Sequence, residues 1–174
     1  DFKFYGTNYS NIYLSTNGFL SFTPLTSAYY SNAVIPNGAA PNNIIAPFWD
    51  DLDGRTQGTV HYLREADKLT IQFTNWQRYN ATGSLTFQIV LKSNDRIMFY
   101  YNNLNATLTS ATVGIENTSG NDGLQIVYEA AYLANNLAVQ IAADPEWLTL
   151  NNYAGTIYNG NSVTIGLMIQ TAGM

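Results

Sequence analysis

The densest chemistry-bearing stretch of the 174-residue chain is Asp50-Asp51-Leu52-Asp53-Gly54. Three carboxylates in four positions offer hard oxygen ligands, the donors that Ca²⁺ gathers six to eight at a time. The EF-hand pattern is absent: counted from Asp51 the fifth position is Arg55, and no glutamate closes the loop. A second reading makes the run a turn, with Asp side chains bonding backbone amides and Arg55 neutralising one of them. Both readings stand at this level: no cofactor, or a structural Ca²⁺ at Asp50, Asp51 and Asp53. Carboxylate pairs could instead run glycoside hydrolysis, with Glu65, Asp67, Asp95, Glu116, Asp122, Glu129, Asp144 and Glu146 as further candidates. No spacing among them sets two acids across one pocket. His61 is the only histidine, whereas a usual catalytic zinc site takes two or three imidazoles. A serine triad would need a Gly-x-Ser-x-Gly elbow, which the chain lacks. With no cysteine, thiolate metal sites, cysteine nucleophiles and disulfides are all excluded. The expectation is a protein that is not an enzyme.

The aromatic residues point to recognition. Tyr29, Tyr30 and Tyr79 fall in expected loops and strand ends. Exposed tyrosine rings can stack on the apolar face of a sugar while neighbouring amides bond its hydroxyls. Tyrosine is equally favoured at protein interfaces, where it gives large area at low rotamer cost. The expected partner is therefore an extracellular protein or a glycan, with the ordinary use of aromatics in strands as the plain alternative. Trp49 and Trp76, inside apolar segments, are assigned to the core. Seven basic against twelve acidic residues leave a net charge of -5, the wrong sign for gathering nucleic-acid phosphates. No stretch approaches the roughly 18 unbroken apolar residues of a membrane helix. At 46% hydrophobic the chain can fill a core, which excludes disorder. Only 11% of it is charged, against about 25% in a typical soluble domain. Asn, Thr, Ser, Gly and Tyr take the place of charge. That balance, without cysteine, suits an exported bacterial protein at the cell surface or beyond it.

The elements that must position these residues read as strands. Asn11–Ser15, then Thr16-Asn17-Gly18, then Phe19–Phe22 predicts a hairpin, with Asn-Gly supplying the positive φ angles of a type I′ turn. Residues 23–43 hold Gly, Pro, Ser and Asn clusters and read as a long loop. Ile44–Trp49 is a short apolar run ahead of the acidic stretch. Strands are expected over 58–64, 68–76 and 84–92, where Leu69, Ile71 and Phe73, then Leu85, Phe87, Ile89 and Leu91, alternate with Thr, Gln and Ser. Further strands are expected over 96–101, 111–116 and 124–128, and one helical turn over 129–135. Many short strands with turn signals between them predict an all-β fold: an antiparallel β-sandwich with long loops and negligible helix.

Near Asp144-Pro145 the texture changes, so residues 1–143 are expected to form the main domain and 144–174 a C-terminal β segment. Its two or three strands are too few to bury both faces of a sandwich. Either Trp147, Leu148, Leu150, Ile157, Val163 and Ile165 pack on the main domain or another copy, or the segment opens a further module. The order Ile44-Ile45-Ala46-Pro47-Phe48-Trp49-Asp50-Asp51-Leu52-Asp53, then Gly58-Thr59-Val60-His61-Tyr62, resembles the core of nidogen-type (NIDO-like) extracellular domains. The likeness continues through Leu69–Trp76 and Leu85–Leu91 to Ala111–Ile115, covering residues 4–141. It extends to modules of large secreted bacterial proteins, which open with Tyr5-Gly6 and Ser15–Phe22. Residues 145–164 are similar to part of the small immunoglobulin-like modules that follow such domains. These resemblances imply extracellular adhesion or anchoring, and bring no catalytic residues with them.

Overall fold

A computed structural model describes residues 1–143, 148–150, 162–164 and 166–169. Fifteen strands and no helix are found among them. They are β1 (Phe2–Phe4), β2 (Thr7–Tyr9), β3 (Tyr13–Ser15), β4 (Phe19–Ser21), β5 (Ile44–Trp49), β6 (Leu52–Asp53), β7 (Thr59–Arg64), β8 (Lys68–Arg78), β9 (Ser84–Lys92), β10 (Ile97–Asn105), β11 (Thr112–Glu116), β12 (Gly123–Tyr128), β13 (Ala138–Ile141), β14 (Leu148–Leu150) and β15 (Leu167–Ile169). Asp1–Ile141 and Ala142–Met174 form separate compact units. In the second, β14 and β15 pair antiparallel; Trp147, Ile157 and Ile165 lie outside the described residues, and Val163 is exposed.

The first unit is the expected antiparallel sandwich. One sheet runs β13-β10-β9-β8, with β6 and β7 both paired to β8; the other runs β12-β11-β5-β4-β3. Alternation along β9 buries Leu85, Phe87, Ile89 and Leu91. Phe87 stacks on Phe73 of β8 at 4.7 Å and on Phe48 of the facing sheet at 5.7 Å. Each neighbour of β9 carries a bulge at the same level. In β8, Phe73 faces Phe87 and Trp76 faces Leu85, so one extra residue is accommodated near Asn75, whose φ is 56°. In β10 the register shifts between Tyr101 and Asn103. The bulges keep Phe73 with Trp76, and Tyr101 with Leu104, on the core side. They also carry β8 and β10 past the ends expected from sequence.

Strand β5 is buried at every position because it is covered twice. Ile45 and Phe48 face the main core, while Ile44, Ala46 and Trp49 form a second cluster with Phe19 and Ile35. The loop of residues 22–43 closes over this outer face: Leu25, Tyr29 and Ala33 pack against it. Trp49 Nε1 donates to Tyr29 O at 2.7 Å. The two sheets are tied by Tyr101, whose Oη donates to Pro47 O at 2.7 Å.

Two local expectations are corrected. The β3–β4 hairpin forms, with Ser15 opposite Phe19, but only Gly18 has positive φ, 78°. Gly18 N donates to Ser15 O at 3.3 Å, so three residues make the loop and the final αL residue must be glycine. A Cβ there would sit 1.9 Å from Phe48 O. Residues 129–134 form bends and irregular chain and Asn135 enters a hydrogen-bonded turn closed by Leu137 N and Ala134 O, so the helical turn does not form.

Candidate recognition cleft

The chain converges where β5 runs into β6 beside the far end of β8. Leu52 pairs with Arg78 and Asp53 with Gln77, and Tyr79 N donates to Asp51 O at 2.8 Å. This pairing carries the acidic run and Tyr79 to one place. The β3–β4 turn closes another side through Asn17. Its Oδ1 accepts from Leu52 N at 2.9 Å, and its Nδ2 donates to Ala28 O at 2.8 Å. One buried amide thus fixes both the β5–β6 turn and the loop that carries Tyr30. Gly54 permits the last approach, because a Cβ there would meet the Trp76 ring at 2.6 Å. The result is a cleft of about 460 Å³ lined by Tyr30, Tyr79, Asp51, Asp53, Arg55 and Trp76, with Thr16 and Asn17 at the hairpin side.

The three carboxylates have three different surroundings. Asp50 is buried, and its Oδ2 accepts from Arg78 Nε at 2.7 Å and from Ser110 Oγ at 2.6 Å. Its Oδ1 accepts from Asp51 N at 2.8 Å. Asp53 is gripped by Arg55 through both oxygens, from Nε at 2.9 Å and the second guanidinium nitrogen at 2.8 Å. Those hydrogen bonds hold its carboxyl down at about 2. Arg55 in turn lies 5.5 Å from the centroid of the Tyr79 ring, a cation–π distance. Asp51, half-buried at the cleft, forms no ion pair among the described residues. Burial, and then the neighbouring Asp50 charge, raise its carboxyl above the ordinary range. Among the described residues no group of three or more His, Cys, Asp or Glu side chains is arranged to hold a metal ion. Asp50 and Asp53 are thus each committed to a guanidinium.

The tyrosines nominated from sequence separate. Tyr30, 60% exposed, and Tyr79, 47% exposed, line the cleft. Tyr29 is half-buried over Trp49, and its hydroxyl shares a hydrogen bond with Thr26 at 2.8 Å. Trp49 and Trp76 are buried, as assigned, although Trp76 also floors the cleft. His61 is exposed on β7.

The family model described as NIDO related matches residues 1–159. The chain belongs to the NIDO-related family. The match runs beyond residue 141, where the likeness read from sequence ends, and includes β14. No solved structure gives a significant match. No helix of this NIDO-related chain, among the described residues, is long and apolar enough to cross a membrane. Three features of its cleft escaped sequence reasoning: the anchoring amide of Asn17, the grip of Arg78 and Ser110 on Asp50, and the Trp76 floor. Their separations of 28 and 60 residues for the Asp50 partners leave no local signal.

Chemically the cleft offers two rings, one carboxylate free of ion pairing and a guanidinium already engaged.

Proposed function

We propose that this NIDO-related domain is a non-catalytic extracellular module of a secreted or surface-anchored bacterial protein. It acts in adhesion, display or targeting by holding a protein or glycan partner in the Tyr30–Tyr79 cleft. The observation that carries this reading is the convergence of two exposed tyrosines, 49 residues apart in sequence, on one cleft with the carboxylate of Asp51. Exposed aromatic rings give large contact area at low entropic cost; here Tyr79 is held by its backbone bond to Asp51, and the loop carrying Tyr30 by side-chain bonds from Asn17 to Ala28 O and from Trp49 to Tyr29 O.

A carbohydrate-binding role is the second reading. The rings could stack on sugar faces while Asp51 accepts hydroxyl protons, and the absence of an unpaired cation in the cleft suits an uncharged sugar. An array carrying printed glycans beside purified extracellular proteins tests both. The expected result is a reproducible ligand class whose signal is lost in Tyr30→Ala and in Tyr79→Ala, but kept in Tyr132→Ala, an exposed tyrosine that does not line the cleft. Binding that ignores the two cleft substitutions would overturn the assignment.

A further inference from the structure

Strand β7 is paired along one edge only: it meets β8 and no other strand among the described residues. The direction of its open hydrogen bonds follows from the hairpin. Glu65 N donates to Lys68 O at 2.9 Å, and the register continues from Arg64 opposite Leu69 to Thr59 opposite Thr74. Hydrogen-bonded pairs alternate along an antiparallel ladder. Leu63, His61 and Thr59 therefore direct their backbone groups to β8, while Val60, Tyr62 and Arg64 direct theirs away from the sheet. The same strand exposes Tyr62 at 79% and Leu63 at 59%. Soluble proteins blunt an edge of this kind with proline, charge, a bulge or brevity. Strand β7 has six residues, one charge at its last position and an unbroken register to β8. The other outer strands are less open. Strands β3 and β13 have three and four residues, and beside β12 the Gln125 side chain accepts from Ile35 N at 2.9 Å.

We propose that β7 pairs antiparallel with β7 of a second copy of this chain, about a two-fold axis at Tyr62, joining two six-stranded sheets. The open residues make the register self-complementary. Tyr62 meets Tyr62 of the second copy as an aromatic cross-strand pair, Val60 meets Arg64, and His61 meets Leu63. Charge fits as well. Arg64, the only charge in the strand, faces valine, Glu65 faces Thr59, and no like charges stand opposite, which would be destabilising. The two copies of Arg64 lie about 14 Å apart along the strands, four residues at the strand rise. A single strand pair lies near the lower bound of specific interfaces, about 1,000 Å² in total, so the dimer is a weak one. This surface is separate from the cleft, and the proposal does not depend on what the cleft binds.

Sedimentation velocity from about 5 µM to about 1 mM covers the range in which a weak dimer forms. The wild-type chain should pass from monomer to dimer, and Tyr62→Lys, which sets two like charges at the axis, should weaken association at least tenfold. Leu124→Lys, on exposed β12, should leave it unchanged. Tyr62→Cys gives an independent check, since the chain has no other cysteine. Hydrogen-bonded opposed residues lie about 5.5 Å apart at Cα, within disulfide reach. That variant should cross-link to its own mate under mild oxidation, and Tyr30→Cys should not. A monomer throughout the concentration range would overturn the proposal, as would a dimer indifferent to Tyr62→Lys.

Discussion

Truncating two carboxylates three residues apart should have very different consequences. Asp50 accepts three hydrogen bonds, from Arg78, Ser110 and the Asp51 amide, and is 4% exposed. Asp50→Ala strands the Arg78 guanidinium and the Ser110 hydroxyl beside a small cavity. Removing one member of a buried ion pair costs about 3–5 kcal/mol; Arg78 keeps a quarter of its side chain in water, which lowers the figure to about 2–4 kcal/mol. A unit of this size unfolds with an entropy near 0.3 kcal/mol/K, so the melting temperature should fall by about 7–13 °C. Asp53 is buried and paired too, but its partner Arg55 has a side chain 74% exposed, so removing the carboxylate frees a guanidinium that water already solvates. A pair screened in this way contributes little, and Asp53→Ala should move the melt by less than about 3 °C. Asp50→Asn, which keeps one acceptor oxygen, should fall between them. Thermal melts at neutral pH, followed by circular dichroism with urea titration as a second measure, provide the comparison. Equal shifts for the two alanine variants, or an Asp50→Ala shift below about 2 °C, would refute the picture of Asp50 as the clamp between β5, β8 and the β10–β11 loop.

Because Arg78 and Arg55 occupy two of the three carboxylates of the acidic run, calcium and chelator should give superimposable melts; a calcium-dependent rise that Asp51→Asn abolishes would restore the metal reading. Tyr101→Phe keeps the ring but leaves the buried Pro47 carbonyl without its donor, and should cost about 1–3 kcal/mol; no change in urea stability would mean that this bond does not tie the sheets. Burial raises the carboxyl of Glu116 above its ordinary 4.5, against the pull of the Asn37 amide. Its contribution is thus full below pH 4.5 and lost as pH rises through the folded value, so Glu116→Gln should raise the melting temperature at pH 7 and flatten the slope between pH 4 and 7. A lower melting temperature at pH 7 would contradict that sign. Asp53 behaves oppositely. Its folded value of about 2 lies below 3.8, so its contribution is present above pH 3.8 and lost toward pH 2, and Asp53→Asn should remove that acid limb.

Much of the sandwich was legible because one face of the central strands β8 and β9 is buried while the other is less so. Strand β9 starts and ends where its alternation does, and Leu69 to Phe73 mark β8 correctly. Legibility ends where pairing, not pattern, decides. The strand expected over 96–101 stops short of Asn102 and Asn103, yet β10 continues through a bulge to Asn105 because Leu85 and Ser84 of β9 supply partners. Strand β13 was missed: Ala138–Ile141 is too short to announce itself, and it forms on the edge that β10 presents. The hairpin at Asn17-Gly18 was correctly placed with the wrong turn, since Asn17 spends its side chain on Leu52 and Ala28 while Gly18 alone takes positive φ. The cleft was half legible. Residue type singled out the acidic run and the tyrosines, but only the covering loop separates Tyr30, in the cleft, from Tyr29, turned onto Trp49.

The Tyr30–Tyr79 cleft is the surface proposed to recognise a partner. Its most direct test is a binding isotherm, by calorimetry, of the strongest array ligand against the wild type, a Tyr30→Ala/Tyr79→Ala double variant and Tyr132→Ala. Losing two ring contacts worth about 1–2 kcal/mol each should weaken the double variant roughly 30-fold or more at an unchanged melting temperature. Tyr132→Ala should bind like the wild type. A double variant that melts and binds as the wild type does would contradict the account and place recognition elsewhere on the sandwich.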